Sequence, residues 1–366
     1  MDYRTPQFYR LMSYAAQADH DVVDMVSGSP DWAAPAGIAD GLQAYADRGG
    51  ADFRYPPSEG LDALREEIAA RRGVSRDQVI VTNGAGEANY LAMAAALDRG
   101  TGSGVLLTDP VYPYYPGKIQ LLGGEPRYVP AERDGTLDPA AVRGVASEDT
   151  GAIVVNTPNN PTGAVYPEET MAELVAVAEE HDAVLLSDEV YDHFDRSGEF
   201  TSALGINSEH RAVTNAFSKS MAITGFRVGY GVFPAALHDA ARTRHMLINV
   251  TGSRPAQYAV LRALRSTGPD YYAEKRRLLG ERIETFAAAL EECGAEFTRP
   301  EGGFYVMARF PDYPGSFENA ERLVDRAGVA GMPGTAFGES RADWFRFALL
   351  TPAVETAGRR LVDFFE

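Results

Sequence analysis

A chain of 366 residues with 45 % hydrophobic and 23 % charged residues can bury a sizeable core and suits two domains, or one large domain with an appendage. Its formal net charge of -18 argues against nucleic acid or an anionic membrane as a main partner, because both require an electropositive footprint. No apolar run reaches the length of a membrane span, the opening MDYRTPQFYRLM lacks the basic-then-apolar pattern of a signal peptide, and the single cysteine, Cys293, excludes an internal disulfide framework and fits a reducing cytoplasm.

In chain order, residues 1 to about 45 are loop-rich around SGSPDWAAPAG. Between about 79 and 233, short apolar runs end in polar or turn residues, with helix-like stretches between several of them. QVIVTN precedes GAGEANYLAMAAAL, GVLLTD precedes PVYPYYPGKIQLL, and GAIVVN precedes TPNNPTG and the amphipathic EETMAELVAVAEEH; AVLLSD, RAVTNAFS and FRVGYGVF complete the set. Runs that are apolar throughout, without alternation, predict strands buried on both faces, as in a mostly parallel sheet flanked by helices. In an α/β sheet of that kind, loops leaving the C-terminal strand ends converge on one crevice. Beyond about 254 come long helical patterns such as YYAEKRRLLGERIETFAAALEECG, then GGFYVMARF, GMPGTAFGES, WFRFALL and a closing helix. The expected organisation is a large domain over 46–254 and a smaller α+β domain from 1–45 and 255–366, with a boundary that a long helix can cross.

Several motifs admit rival chemistries. GAGEAN between a strand and a helix invites a dinucleotide-binding reading, but Asn89 stands where a third glycine is required, so the general expectation is an anion site at a helix N-terminus. AVLLSDEVYDHF resembles the acidic strand of a nucleotide hydrolase, yet Gly117-Lys118 is followed by isoleucine and forms no phosphate loop. A metal cluster of Asp188, Asp192 and His193 lacks the paired spacing of ligands, and no metal is expected. Asp188 itself, a carboxylate capping an apolar strand, is expected to have a cationic partner.

The order Asn160, Asp188, Tyr191, Lys219, Arg227 along one sheet changes the weight of these stretches. Pyridoxal phosphate calls for all five. Its aldehyde condenses with a lysine amine, its ring nitrogen is kept protonated by a buried aspartate, its phenolic oxygen takes hydrogen bonds from a phenol and an amide, and its phosphate takes an arginine fork. Lys219 sits among small residues in AFSKSMAITGFRVGYG, which keeps its amine partly desolvated and favours the neutral, nucleophilic form.

Here the chain resembles a fold-type I pyridoxal 5'-phosphate aminotransferase of the class I/II group over nearly its whole length. The resemblance rests on GSPDW, FRYPPSEGLDALREEI, TNGAGEA, DPVYPYY, NTPNNPTG, SDEVYDHF, FSKSMAITGFRVGY, PEGGFYVM, MPGTAFG and FRFALL. It implies that Lys219 carries the cofactor and moves the proton, with Asp188 on the ring nitrogen and Tyr191 and Asn160 on the phenolic oxygen. It implies Tyr112 stacked on the ring, and Gly84, Ala85, Gly86, Ser218 and Arg227 around the phosphate. Tyr55 matches a residue that reaches the phosphate of a neighbouring subunit, so a homodimer with shared sites is implied. Gly28, Asn160 and Arg346 match the substrate side, Arg346 forking onto the α-carboxylate. One position departs from the pattern: the hydroxyl residue often found three before the lysine is Ala216.

No arginine marks a dicarboxylate side-chain pocket, while Trp32 and Tyr14 could line an apolar or aromatic one or simply pack. The expected activity is amino-group transfer between an L-amino acid and a 2-oxo acid in the cytoplasm. A β- or γ-eliminating lyase on the same scaffold is the nearest alternative; an NAD-dependent dehydrogenase and a non-catalytic cofactor-binding regulator are more distant ones. The only lysines are Lys118, Lys219 and Lys275, and with the many acids this composition resembles that of salt-adapted proteins.

Overall fold

The computed structural model describes residues 6–366; residues 1–5, the start of the expected small-domain segment, lie outside the described residues. A seven-stranded sheet runs in the order Val79–Thr82, Gly229–Val232, Arg211–Ala216, Val184–Asp188, Thr150–Asn156, Gly104–Asp109, Glu125–Pro130. The last five are mutually parallel, and Gly229–Val232 is antiparallel to both of its neighbours. Thr150–Asn156 and Val184–Asp188 are buried at every position. Their alternate residues feed two different cores: Ile153 and Leu185 pack on one face, Val154 and Leu186 on the other. This is why the runs are apolar throughout. The sequence expectation of a mostly parallel sheet with covered faces holds.

The parallel strands carry Asn156, Asp188 and Ala216 to the same edge of the sheet, where the connecting loops meet. The dinucleotide alternative lacks its architecture. The strand before the glycines, Val79–Thr82, lies at the sheet edge and pairs antiparallel, whereas a dinucleotide unit begins on a central parallel strand.

The smaller unit has an antiparallel sheet ordered Met332–Pro333, Phe345–Ala348, Tyr305–Arg309, Glu296–Phe297. The N-terminal segment joins it, as Val23–Asp24 pairs in parallel with Val329–Ala330 and Leu11, Met25 and Val26 enter a core with Phe286, Phe345 and Phe347. The 24-residue helix Pro269–Glu292 supplies Ile283, Phe286 and Leu290 to this core. Its other end reaches the large unit, where Tyr272 stacks on His193 with ring centroids 4.0 Å apart. No helix among the described residues is long and apolar enough to cross a membrane.

Two helices flank the spans expected for the large domain, Ala36–Ala46 and Arg254–Ser266. Ile38, Val260, Leu261 and Leu264 all join the core of the seven-stranded sheet. The pair is close because glycine faces alanine at two crossings: a Cβ on Gly41 would stand 2.6 Å from Ala259 Cα, and one on Gly37 2.7 Å from Ala263 Cα. Backbone cannot yield as a flexible side chain does. Gly41→Val is expected to destabilise the protein by about 1–3 kcal/mol, read as a lower denaturant midpoint at fixed protein concentration. Unchanged stability would show that the helices separate freely.

Candidate active site

A cavity of about 460 Å³ opens at the C-terminal edge of the large sheet, between the two units. Its wall holds Gly28, Ala85, Gly86, Tyr112, Asn160, Asp188, Tyr191, Ser218, Lys219, Arg227 and Arg346. The structure therefore gathers eleven of the residues singled out from sequence, drawn from positions 28 to 346. Gly84 sits immediately behind the wall. Its backbone is left-handed (φ 78°), and a Cβ there would strike the Arg227 guanidinium. Tyr55 is outside this cavity, 82 % exposed on another face beside Phe53 and Arg254.

Asp188 ends its strand with 3 % exposure and forms no ion pair among the described residues. Tyr115 donates its hydroxyl to Oδ2 at 2.5 Å, Asn89 donates its amide at 2.6 Å, and the Val190 N–H reaches Oδ1 at 3.3 Å. Burial raises the carboxyl pKa, against the opposing effect of the Tyr115 and Asn89 hydrogen bonds. Asn156 fixes the neighbouring loop, donating to the Asp188 carbonyl at 2.8 Å and accepting from the Asn160 N–H at 2.8 Å.

Lys219 lies in the short helix Phe217–Ser220 that follows strand Arg211–Ala216, and its Nζ donates to the Gly28 carbonyl at 2.6 Å. Burial first, then the Arg346 and Arg227 charges, lower its pKa from 10.5 to about 8, while Asp188 acts the other way. Tyr191 and Asn160 adjoin one another: the Asn160 amide donates to the phenol at 3.3 Å, and Tyr305 shares a hydroxyl contact with Tyr191 at 3.3 Å.

Arg346 is 1 % exposed in a strand of the smaller unit. It donates to Asn160 Oδ1 at 3.1 Å and to the Val26 carbonyl at 2.6 Å, and its Nε has no partner among the described residues. The Tyr305 and Phe8 rings lie 4.2 and 4.7 Å from its Cζ, and burial lowers its pKa. A buried guanidinium with neutral partners only is a ready receptor for a carboxylate. Arg227 likewise donates to carbonyls alone, those of Thr224 at 2.9 Å and Asn83 at 3.1 Å. Its backbone is left-handed (φ 56°), an uncommon conformation for a residue with a side chain and one that clusters at functional sites.

Trp32 and Tyr14 do not line this cavity. Trp32 packs on Phe194 with ring centroids 5.9 Å apart, and Tyr14 donates to Asp325 at 2.9 Å. Asp192 takes hydrogen bonds from Arg72 at 2.5 Å and the Asn215 amide at 2.9 Å and shares no side-chain partner with Asp188 among the described residues. The apolar wall comes instead from Phe8, Tyr9 and Met12 of helix Gln7–Ala16, which no motif marked. Sequence reasoning also missed Asn89, Tyr115 and Lys118. Each had a signal: Asn89 lies four residues after Ala85, Tyr115 three after Tyr112, and Lys118 is one of only three lysines.

This arrangement agrees with what the chain is similar to. A model of the family "Aminotransferase class I and II" matches residues 20–358. A probable aspartate/prephenate aminotransferase of Thermus aquaticus is 35 % identical over 329 residues, covering 87 % of this chain and 84 % of that one. A singly mutated aspartate aminotransferase of Thermus thermophilus superposes with a TM-score of 0.92 at 30 % identity, covering 99 % and 96 % of the two chains. An alanine aminotransferase from Pyrococcus furiosus does so with a TM-score of 0.91 at 29 % identity, covering 99 % and 97 %. With a lysine, a buried carboxylate and two carbonyl-tethered arginines around one cavity, the chain belongs to the class I and II aminotransferases, pyridoxal 5'-phosphate-dependent enzymes acting on amino acids and 2-oxo acids.

Proposed function

We propose that this aminotransferase uses Lys219 as its cofactor-bearing and proton-moving amine, and that it favours donors with aromatic or apolar side chains. The residues present fit the cofactor. A left-handed Gly84 clears the space before Arg227, helix Ala85–Asp98 opens at Ala85 and Gly86, and Asp188 presents a buried carboxylate opposite. In this reading Gly84, Ala85, Gly86, Ser218 and Arg227 hold the phosphate, Asp188 the ring nitrogen, and Tyr191 with Asn160 the phenolic oxygen, while Tyr112 covers the ring face. Bound there, pyridoxal 5'-phosphate supplies an aldehyde and an electron-withdrawing ring.

The chain's own residues do the rest. Arg346 fixes the substrate α-carboxylate through its open Nε and forked nitrogens, with Asn160 and Gly28 alongside. Lys219 Nζ, its pKa lowered to about 8, would take the proton from the substrate Cα and deliver it to the aldehyde-derived carbon of the bound cofactor. The observation that carries the donor preference is the wall beside Arg346. Phe8, Tyr9, Met12, Tyr112 and Tyr114 line it, and the cations on the cavity wall are Lys118, Lys219, Arg227 and Arg346.

A homodimer with shared sites is supported by apolar residues in water where the segment after Gly50–Phe53 adjoins the end of helix Ala235–Asn249. Tyr55 and Leu247 are each 82 % exposed, with Phe53 and Val250 beside them. Val250 holds φ 63°, a strained value for a β-branched residue. In this assembly Tyr55 enters the partner's site. The division into two units is proposed with the large span extended to include helices Ala36–Ala46 and Arg254–Ser266, which share its core. A cytoplasmic and salt-adapted setting is supported by one cysteine, three lysines and a net charge of -18.

Borohydride reduction of the holoenzyme is expected to label Lys219 and to leave Lys219→Ala unlabelled; a label on Lys118 or Lys275 overturns the assignment. Tyrosine, phenylalanine and leucine are expected to outperform aspartate as donors in kcat/KM; a strong preference for aspartate, the amino acid in the Thermus relatives' names, reverses that reading. Pyruvate and ammonia formed without an amino-acid product would establish the lyase outcome instead. Below a pKa of about 8 the neutral fraction of Lys219 rises with pH, so apoprotein should capture the cofactor about tenfold faster per pH unit and level off above. Arg346→Met removes a neighbouring charge and is expected to move that inflection upward. Mixing the inactive variants Lys219→Ala and Tyr55→Ala should restore about a quarter of wild-type activity, since half of the dimers are mixed and hold one intact site each. No recovery would place Tyr55 outside the partner's site.

A further inference from the structure

Lys118 is a cation with no assigned task. Its ammonium projects from helix Tyr114–Leu121 into the cavity, 5.9 Å from the Tyr115 ring centroid, and makes no hydrogen bond or ion pair among the described residues. In a chain with 34 Lys plus Arg but only three lysines, two of those three line this one cavity. The charges that act on it are those of Asp188 and Arg227, whereas Lys219 feels Arg346 as well. Arg227, Ala85 and Gly86, the phosphate end in the reading above, share the cavity wall with Lys118.

That end has a deficit. Ala216, on the cavity wall and 2 % exposed, offers no hydroxyl. We propose that Lys118 is a second cationic ligand of the cofactor phosphate, acting with Arg227 and the helix start at Ala85 and Gly86 in place of a hydroxyl at position 216. A phosphate dianion needs more than one cation for charge balance, and an ammonium serves as a point charge where a guanidinium serves as a fork. Burial lowers the Lys118 pKa to about 8, a cost that a bound dianion reverses by holding the amine charged.

The test compares two ligands that differ only in the phosphate. Apoprotein of the wild type, Lys118→Met, Lys118→Gln and Lys118→Arg is titrated with pyridoxal 5'-phosphate and with pyridoxal, in equilibrium dialysis. Both neutral variants are expected to bind pyridoxal 5'-phosphate about 10- to 100-fold more weakly while pyridoxal affinity is unchanged, and Lys118→Arg to recover most of the loss. Inorganic phosphate should compete for the wild-type apoprotein and compete less well for the neutral variants. Equal losses for both ligands would assign Lys118 to the ring nitrogen end and overturn the proposal. Unchanged affinities with a raised KM for dicarboxylic acceptors would assign it to the substrate side chain and overturn it too. The proposal rests on Lys219 as the cofactor lysine: a borohydride label elsewhere fails that assignment, whereas loss of the phosphate-specific difference fails this one.

Discussion

A carboxylate brought almost completely out of water, with no ion pair among the described residues, is the constraint on which the site depends. Asp188 is 3 % exposed, and isolated burial of its charge would be prohibitive. Three donors from three places compensate: Tyr115 on one helix, Asn89 on another, and the backbone of Val190. Asn89 is itself fixed by the Thr214 hydroxyl from the neighbouring strand. The edge of the sheet, the helix that opens at the glycines and the helix after Tyr112 are thus tied to one pair of oxygens. A shift in any of them would leave a buried polar group unsatisfied, which costs more than the bond itself gains.

The rest of the cavity has the opposite sign. Most arginines of this acidic protein meet carboxylates, as Arg72 meets Asp192 and Arg282 meets Asp31. In the cavity the pattern changes. Lys219, Arg227 and Arg346 donate to the carbonyls of Gly28, Thr224, Asn83 and Val26. Carbonyls satisfy directions of hydrogen bonding but leave positive charge uncompensated. Such an arrangement is poor for the stability of the empty protein and suited to anionic ligands, the usual trade at a functional site. It also explains the depressed lysine pKa values, since burial and like charges act together.

The N-terminal segment closes this arrangement. Val26 and Gly28 are two residues apart, yet one carbonyl holds Arg346 of the smaller sheet and the other holds Lys219 of the larger. Helix Gln7–Ala16 adds its apolar face above Arg346. The two units therefore meet at the N-terminal segment of the smaller one, and the cavity lies where that segment faces the larger sheet.

Much of this was legible before any coordinates. Apolar runs without alternation specify strands covered on both faces, and their terminal residues named the crevice. A lysine in a lysine-poor chain, eight positions before Arg227 and after an acid-tipped strand, points to one cofactor chemistry. The sequence by itself determined the class of fold and the class of cofactor chemistry, because local patterning and residue chemistry are properties of short stretches. It also left Asn89 as a missing third glycine, passed over Tyr115, and left Trp32 and Tyr14 open between pocket wall and packing. Tertiary structure decided those. Which side chain completes the shell of Asp188, which aromatics line the cavity, and which cations meet no carboxylate depend on helices meeting across tens to hundreds of residues, where packing geometry and not sequence spacing sets who touches whom.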